Sequence, residues 1–126
     1  PWPQNKLYLA SNTLVNDLPY GGTFLRVAPG AQSVVSVNNL LIGMGEYHTP
    51  DILKSSNDIH EGWGIFVNAE RQDYRLNDAG RKLSYQPPTP GLTGGINLTP
   101  QYEYVHPRQI KSLVGPPAFP GALQTM

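Results

Sequence analysis

Glycine and proline recur so often along this chain that long helices are excluded. Thirteen residues of each type are spread over 126 positions, whereas average proteins contain only about 12% of the two together. Proline interrupts a helix because it lacks an N–H group and clashes with the preceding turn, and glycine weakens a helix through its backbone freedom. The chain is therefore predicted to consist of short extended segments joined by turns.

Runs of β-branched and apolar residues alternate with turn sequences. Residues 7–10 and 13–15 are short apolar runs. Strands are predicted near residues 23–28, 33–37, 40–44, 63–70 and 96–106, and a last short strand or turn of helix over 108–115. Asn38 and Asn39 lie between two of these segments and predict a bulge or tight turn there. Residues 74–85 are typical of a β-hairpin, with residues 77–80 as its turn. No repeat of 20–50 residues is evident in the sequence.

Seven or so short strands, with a turn about every ten residues, predict an all-β fold. The expected architecture is a small β-sandwich or barrel of about 6–8 strands. We expect an extended N-terminal arm over residues 1–6, one β domain over 7–114, and a proline-rich C-terminal arm over 115–126. Within the domain, residues 45–62 and 86–95 are predicted to be long loops.

Charge and cysteine content exclude several classes of function. Nine Lys and Arg residues balance nine Asp and Glu residues, so the surface offers no basic field to nucleic acid. There is no Cys, and hence no disulfide framework, thiol nucleophile or Cys-ligated zinc. No apolar run approaches the roughly 18 residues of a membrane span. Neither nucleic acid nor a membrane is expected as a partner.

The stretch 45–64 concentrates residue types that ligate metals or catalyse reactions. The candidate ligands are Glu46, His48, Asp58, His60 and Glu61. Two same-face pairs, residues 46 and 48 and residues 58 and 60, could converge across a hairpin. However, the motifs are not completed: Gly64 stands where a zinc-protease helix beginning at His60 needs its second His. The alternative is a polar connection, so no metal, cofactor or catalytic residue is predicted.

Both ends of the chain are apolar and rich in proline. Ordering such an arm opposes folding by roughly 1–2 kcal/mol per residue, so burial against another surface is expected. The arm either lies along its own domain or is exchanged between subunits. The predicted interface residues are Trp2, Pro3, Pro116, Pro117, Phe119, Pro120 and Leu123.

These features together predict a non-enzymatic structural subunit of a symmetric assembly. The expected setting is a virion, with the chain acting as a capsid decoration, minor capsid or tail/neck protein. Its partners would be copies of itself or a larger structural lattice, and no small-molecule substrate is expected. Two other classes stay open: a secreted or cell-surface module that binds a glycan or peptide, and a small metal-dependent, cupin-like enzyme that uses residues 46–61.

Overall fold

A computed structural model describes residues 5–100, 102–105, 109–113 and 116–124. Its strands are β1 (Lys6–Ala10), β2 (Thr13–Val15), β3 (Thr23–Arg26), β4 (Ser33–Val37), β5 (Leu40–Ile42), β6 (Glu46–His48), β7 (Leu53–Ser56), β8 (Ile59–Glu61), β9 (Phe66–Asn68), β10 (Asp73–Leu76), β11 (Tyr102–Val105) and β12 (Gln109–Ser112). The helical elements are one turn, α1 (Pro90–Thr93), and 3-10 turns at Trp63–Ile65, Ala69–Arg71 and Gly80–Lys82. Strands hold 35% of the residues and helices 12%, so the predicted all-β class is confirmed.

The first eight strands form three parallel sheets. The first sheet has the order β1-β4-β7, the second β2-β5-β8, and the third pairs β3 with β6. The chain passes from the first sheet to the second and third and then returns to the first. It therefore winds in coils: coil 1 is β1–β3, coil 2 is β4–β6, and coil 3 contains β7 and β8. Such stacking of strands is the arrangement of a short parallel β-helix.

This connectivity differs from that of the predicted sandwich or barrel. The sandwich arrangement is unconfirmed, and the described strands show no barrel closure. Consecutive strands of a coil do not pair with each other, since each pairs with the strand one coil later. The apolar pattern of a strand reports which of its faces are buried, whereas it does not identify the strand beside it.

Two local predictions are corrected by the structure. The predicted long loop 45–62 contains three complete strands, β6, β7 and β8. The predicted hairpin 74–85 is wrong, because β10 pairs antiparallel with the preceding strand β9. The side chain of Asn77 accepts N–H bonds from Ala79 at 2.9 Å and Gly80 at 3.0 Å, and the chain continues into a 3-10 turn. The other predicted loop, 86–95, holds only the single turn α1.

The coils are repeats that were not evident in the sequence. Equivalent positions are 27 residues apart between Asn12 and Asn39, but only 19 apart between Asn39 and Asp58. The connection from the second sheet to the third is longer in coil 1 (residues 16–22) than in coil 2 (residues 43–45). The return to the first sheet is longer as well (residues 27–32 against 49–52). This unequal spacing hides the period, although the corner of each coil is similar.

Each coil passes from the first sheet to the second through a corner of two polar residues. The first residue of each corner is left-handed: Ser11 (φ 58°), Asn38 (φ 56°) and Asn57 (φ 58°). Asparagine tolerates this conformation better than most residues because its short side chain forms local hydrogen bonds. The second residues of the corners, Asn12, Asn39 and Asp58, stack on one another, and we call this set the asparagine ladder.

Asn39 is the central residue of the ladder and is completely buried. Its Oδ1 accepts the backbone N–H of Asn12 at 2.8 Å and the Nδ2 of Asn12 at 3.0 Å. Its Nδ2 donates to the Leu9 carbonyl and Ser36 Oγ, both at 2.9 Å. Both its backbone N–H and its Nδ2 donate to Asp58 Oδ1 at 3.0 Å. One side chain thus connects all three coils.

The outer surface of the second sheet is covered by later parts of the chain. An apolar cluster consists of Leu40, Ile42, Ile65, Phe66 and Leu76. Half-buried neighbours extend it, namely Ile59, Ala69, Tyr74, Leu83 and Phe119. Because Leu40 and Ile42 face this cluster, the alternate residue Leu41 points to the inside of the coil. Ser36 also points inside, since its hydroxyl bonds Tyr47 of the third sheet.

Replacement of Asn39 by alanine is expected to lower the free energy of unfolding by about 2–4 kcal/mol, because several buried groups lose their partner together. Urea unfolding measures this loss. The matched control is Asn97→Ala, since Asn97 is exposed and its side chain makes one local bond to Thr99. That control is expected to change stability by less than about 0.5 kcal/mol. Equal effects of the two substitutions would contradict the central role of the ladder.

Candidate functional site

The strands of coil 1 lie at the same end of all three sheets. Each of β1, β2 and β3 pairs on one edge with a strand of coil 2. Within the described ranges, no strand pairs with the other edge. A free strand edge presents backbone N–H and C=O groups that another strand can pair with. We call these free edges, together with the interior side chains of coil 1, the open end.

Four of the interior side chains of coil 1 are leucines. Strand register places them next to the interior residues of coil 2: Leu7 by Val34, Leu9 by Ser36, Leu14 by Leu41, and Leu25 by Tyr47. In coil 2, the exposed fraction of Val34, Ser36 and Leu41 does not exceed 3%. These four leucines of coil 1 are only half-buried. We call them the leucine layer; exposed apolar surface of this kind marks an interaction site.

The opposite end of the stack has different chemistry. Coil 3 begins with β7, in which Lys54, Ser55 and Ser56 are exposed. Lysine on an edge strand opposes the addition of another strand. The asparagine ladder also stops here, because the carboxylate of Asp58 has no donor to offer a further rung. At the open end, by contrast, the Oδ1 of Asn12 accepts no hydrogen bond from the described residues.

The predicted metal-ligand candidates are divided between two sheets. Glu46 and His48 lie on β6 in the third sheet, whereas Asp58 precedes β8 and His60 and Glu61 lie on it, in the second sheet. Among the residues that the structure describes, no group of three or more His, Asp or Glu side chains could hold a metal. The cupin-like alternative therefore has no assembled site in this part of the chain.

Asp58 belongs to a hydrogen-bonded network inside the coil. Its Oδ2 accepts a short hydrogen bond from Ser36 Oγ, while its Oδ1 accepts the two bonds from Asn39. Ser36 Oγ and the Tyr47 hydroxyl lie 2.9 Å apart and share a hydrogen bond. Burial raises the pKa of Tyr47; the bond to Ser36 lowers this pKa and the nearby Asp58 raises it, both with smaller effect. The network thus gives Asp58 a role in connecting the coils.

The outer side of the third sheet carries unpaired polar side chains. Thr23 pairs with Glu46 and Arg26 with His48 across the two strands, and all four residues are exposed. Within the described residues, the side chains of Arg26, Glu46 and His48 form no ion pair or hydrogen bond. Shallow grooves lined by residues 21–23, 43–46 and 48 and by residues 26–29 and 47–50 meet at His48. We call this surface the polar face.

The predicted arm residues have different environments. Trp2 and Pro3 lie outside the described residues. In the C-terminal arm, Pro116 is exposed, Pro117, Phe119 and Leu123 are half-buried, and Pro120 is buried. Contact of any of these residues with a neighbouring subunit stays a prediction.

Part of the C-terminal arm packs along its own domain. The Gly121 N–H donates to the Asn38 carbonyl at 2.7 Å, and the Ala122 N–H donates to Thr13 Oγ1 at 2.9 Å. Phe119 packs against the apolar cluster. These contacts correspond to the first of the two alternatives for the arm, and they add a covering layer to the corners of coils 1 and 2.

The open end was missed by the sequence analysis, although a signal for it exists. Each corner is a polar pair followed by residues of a strand: SNTL at 11–14, NNLL at 38–41 and NDIH at 57–60. Aligning these corners gives the coil register, and the register then identifies Leu14 as an interior residue of the first coil.

Comparison of the chain with protein-family models, with curated proteins and with solved structures finds no match. In the described part of the chain, no helix has the length and apolar character needed to cross a membrane.

Substitution of Gly121 tests the packing of the arm. Gly121 has a φ of +85°, and a Cβ atom there would lie 2.7 Å from both Leu40 Cδ1 and Thr13 Oγ1. Gly121→Ala is expected to lower the free energy of unfolding by about 1–3 kcal/mol and to make the arm accessible to proteases. Gly91→Ala is the control, because a Cβ at Gly91 meets nothing within 4 Å. Wild-type stability and protease resistance in Gly121→Ala would contradict this packing.

Proposed function

We propose that this chain is a non-enzymatic structural subunit of a symmetric assembly and that the open end joins it to its neighbours. The observation that carries the proposal is the coincidence of the leucine layer with three free strand edges at one end of the coils. Strand edges bind a further strand through main-chain hydrogen bonds. The leucines add apolar burial, worth about 25 cal/mol per Å², that occurs only in the assembled state.

The charge of the chain supports association with protein. Positive and negative residues balance at nine each, so copies of the chain have little net repulsion. In the strands of coil 1 the charged residues are Lys6, at the start of β1, and Arg26, at the end of β3. The open end is thus mainly apolar and main-chain in character.

Within this class we propose a virion component: a capsid decoration, minor capsid or tail/neck protein. A small neutral all-β chain that joins its neighbours by strand pairing suits a lattice built from many copies. In such a lattice, the exposed Pro116 and the half-buried Pro117 and Leu123 would add contacts beside the open end.

A charge in the leucine layer tests the proposal. Leu14→Lys is expected to weaken self-association at least about tenfold, because assembly would bury an unpaired ammonium group. Val15→Lys is the matched control, since Val15 is the next residue of β2 and 38% of its surface is exposed. Light scattering over a range of concentrations measures association, and circular dichroism checks folding.

The expected result is an oligomer for the wild type and Val15→Lys, and dissociation for folded Leu14→Lys. A wild-type chain that stays monomeric at high concentration would contradict the proposed function. Equal association of the two lysine variants would show that the open end does not join the subunits.

The polar face favours a second candidate function, an extracellular or cell-surface module that binds an acidic glycan. Arg26 and His48 lie side by side and can bind a sugar carboxylate. Glu46 can accept hydrogen bonds from sugar hydroxyls. Tyr20 precedes one of the grooves and is 66% exposed, so its ring is available to stack on a sugar.

Calorimetric titration with an oligogalacturonate tests this second function. Under this candidate, the wild type binds the oligosaccharide and Arg26→Ala binds at least about tenfold more weakly, because one charge-assisted hydrogen bond is lost. Arg71→Ala is the control, since Arg71 is exposed in a 3-10 turn away from the polar face. Absence of binding to the wild type would reject the candidate.

A further inference from the structure

We propose that the partner at the open end is a second copy of this chain, bound open end to open end about a two-fold axis. This inference rests on the proposed function and specifies the partner and geometry of the contact. Three observations support it: the free backbone edges of β1–β3, the interior side chains at the two ends of the stack, and the composition of β1.

The free edges define what can bind. They belong to strands in three different sheets that surround one interior, so a single helix cannot satisfy them together. A complementary partner presents strands around a coil of similar size. A second copy of this chain carries such a coil, with the same leucine layer inside it.

The interior side chains favour the open end of the second copy over its coil 3. The interior positions of coil 3 that continue Val34, Ser36 and Leu41 are Leu53, Ser55 and His60. The His60 ring contacts Phe24, with ring centroids 6.3 Å apart. Head-to-tail stacking would therefore place the leucine layer on one leucine, a serine and a histidine, beside the exposed Lys54 edge. Contact between two open ends places leucines on leucines instead.

The composition of β1 fits antiparallel pairing with its own copy. If the two-fold axis passes through Tyr8, all five residues of Lys6–Ala10 are paired. Leu7 then lies opposite Leu9 of the second copy, with both side chains inside, and Lys6 lies opposite Ala10. The two Lys6 side chains are at opposite ends of the contact and do not repel. A two-fold contact closes on itself, so the open end joins two copies and does not extend into a fibre.

The absence of Cys from the sequence makes disulfide trapping a direct test. In the proposed register, Tyr8→Cys brings two thiols opposite each other, where antiparallel Cα atoms are about 4.5–5.5 Å apart, a distance that a disulfide can span. Mild oxidation is expected to convert most of the chains into a covalent dimer. Lys6→Cys is the control: its thiols are offset by four residues, about 13 Å along the strand, and are expected not to crosslink.

A second pair of variants keeps the test valid if Tyr8→Cys does not assemble. Because residue 6 faces residue 10 in this register, a mixture of Lys6→Cys chains and Ala10→Cys chains is expected to form the mixed disulfide dimer in preference to either homodimer. Assembly without either crosslink would overturn the two-fold contact.

Head-to-tail stacking has its own signature. It would continue the pairing of Tyr8 with Val35 and of Val35 with Lys54, so residue 54 of one copy would face residue 8 of the next. Crosslinking of Tyr8→Cys/Lys54→Cys chains into multimers, with no crosslink in Tyr8→Cys alone, would overturn this inference while the proposed function stands. A chain that does not associate at all would contradict both.

Discussion

The hydrogen bonds of Asn39 are the interaction on which the rest of the structure depends. This side chain accepts from Asn12 in coil 1 and donates to Asp58 in coil 3, so it fixes the register of three turns of chain at one corner. The corner residue before it, Asn38, is left-handed, and its side chain bonds the backbone of Gln86. The covering segments are thus anchored to the same corner that aligns the coils.

The direction of the asparagine ladder makes the two ends of the stack unequal. Each rung donates to the oxygen of the next rung, and Asp58 ends this series because a carboxylate only accepts. At the other end, Asn12 and the leucine layer are only half-buried. Four of the equivalent residues of coil 2 are buried, namely Asn39, Val34, Ser36 and Leu41. The two edge strands also differ, because β7 exposes polar side chains whereas β1 is mainly apolar. These differences direct the proposed assembly to coil 1.

The apolar runs and predicted strands match β1–β5, whereas β6–β8 lie in a predicted loop and the pairing of the strands was not predicted. The apolar runs at 7–10 and 13–15 correspond to β1 and β2, and the strand predicted at 33–37 is β4. The bulge or turn predicted at Asn38 and Asn39 is a corner of the coil. The hairpin at 74–85 was predicted from its turn residues, and the structure does contain the turn hydrogen bonds of Asn77. However, Asn77 bonds the carbonyls of Gly64 and Phe66, and these contacts attach β10 to the strand before it.

The candidate site also depends on strand pairing, which the sequence did not predict. Residues 46–61 were the candidate in the sequence because chemically reactive types are concentrated there, but the coil places these residues in different sheets. The residues of the leucine layer were not predicted as a site, because partly exposed leucines are common in proteins. They become a single layer only when three sheets surround one interior.

The sequence by itself determined the all-β class, the positions of most early strands and the polar corners, because these follow from backbone conformation and from short-range side-chain chemistry. Only the tertiary structure decided that the strands pair in parallel, one coil apart, and that one end of the stack stays apolar. The physical reason is that backbone hydrogen bonds between strands have nearly the same energy whatever the partner. The choice is made by the buried network around Asn39 and by the packing of Phe119 and Pro120 on their own chain, which involve residues far apart in sequence.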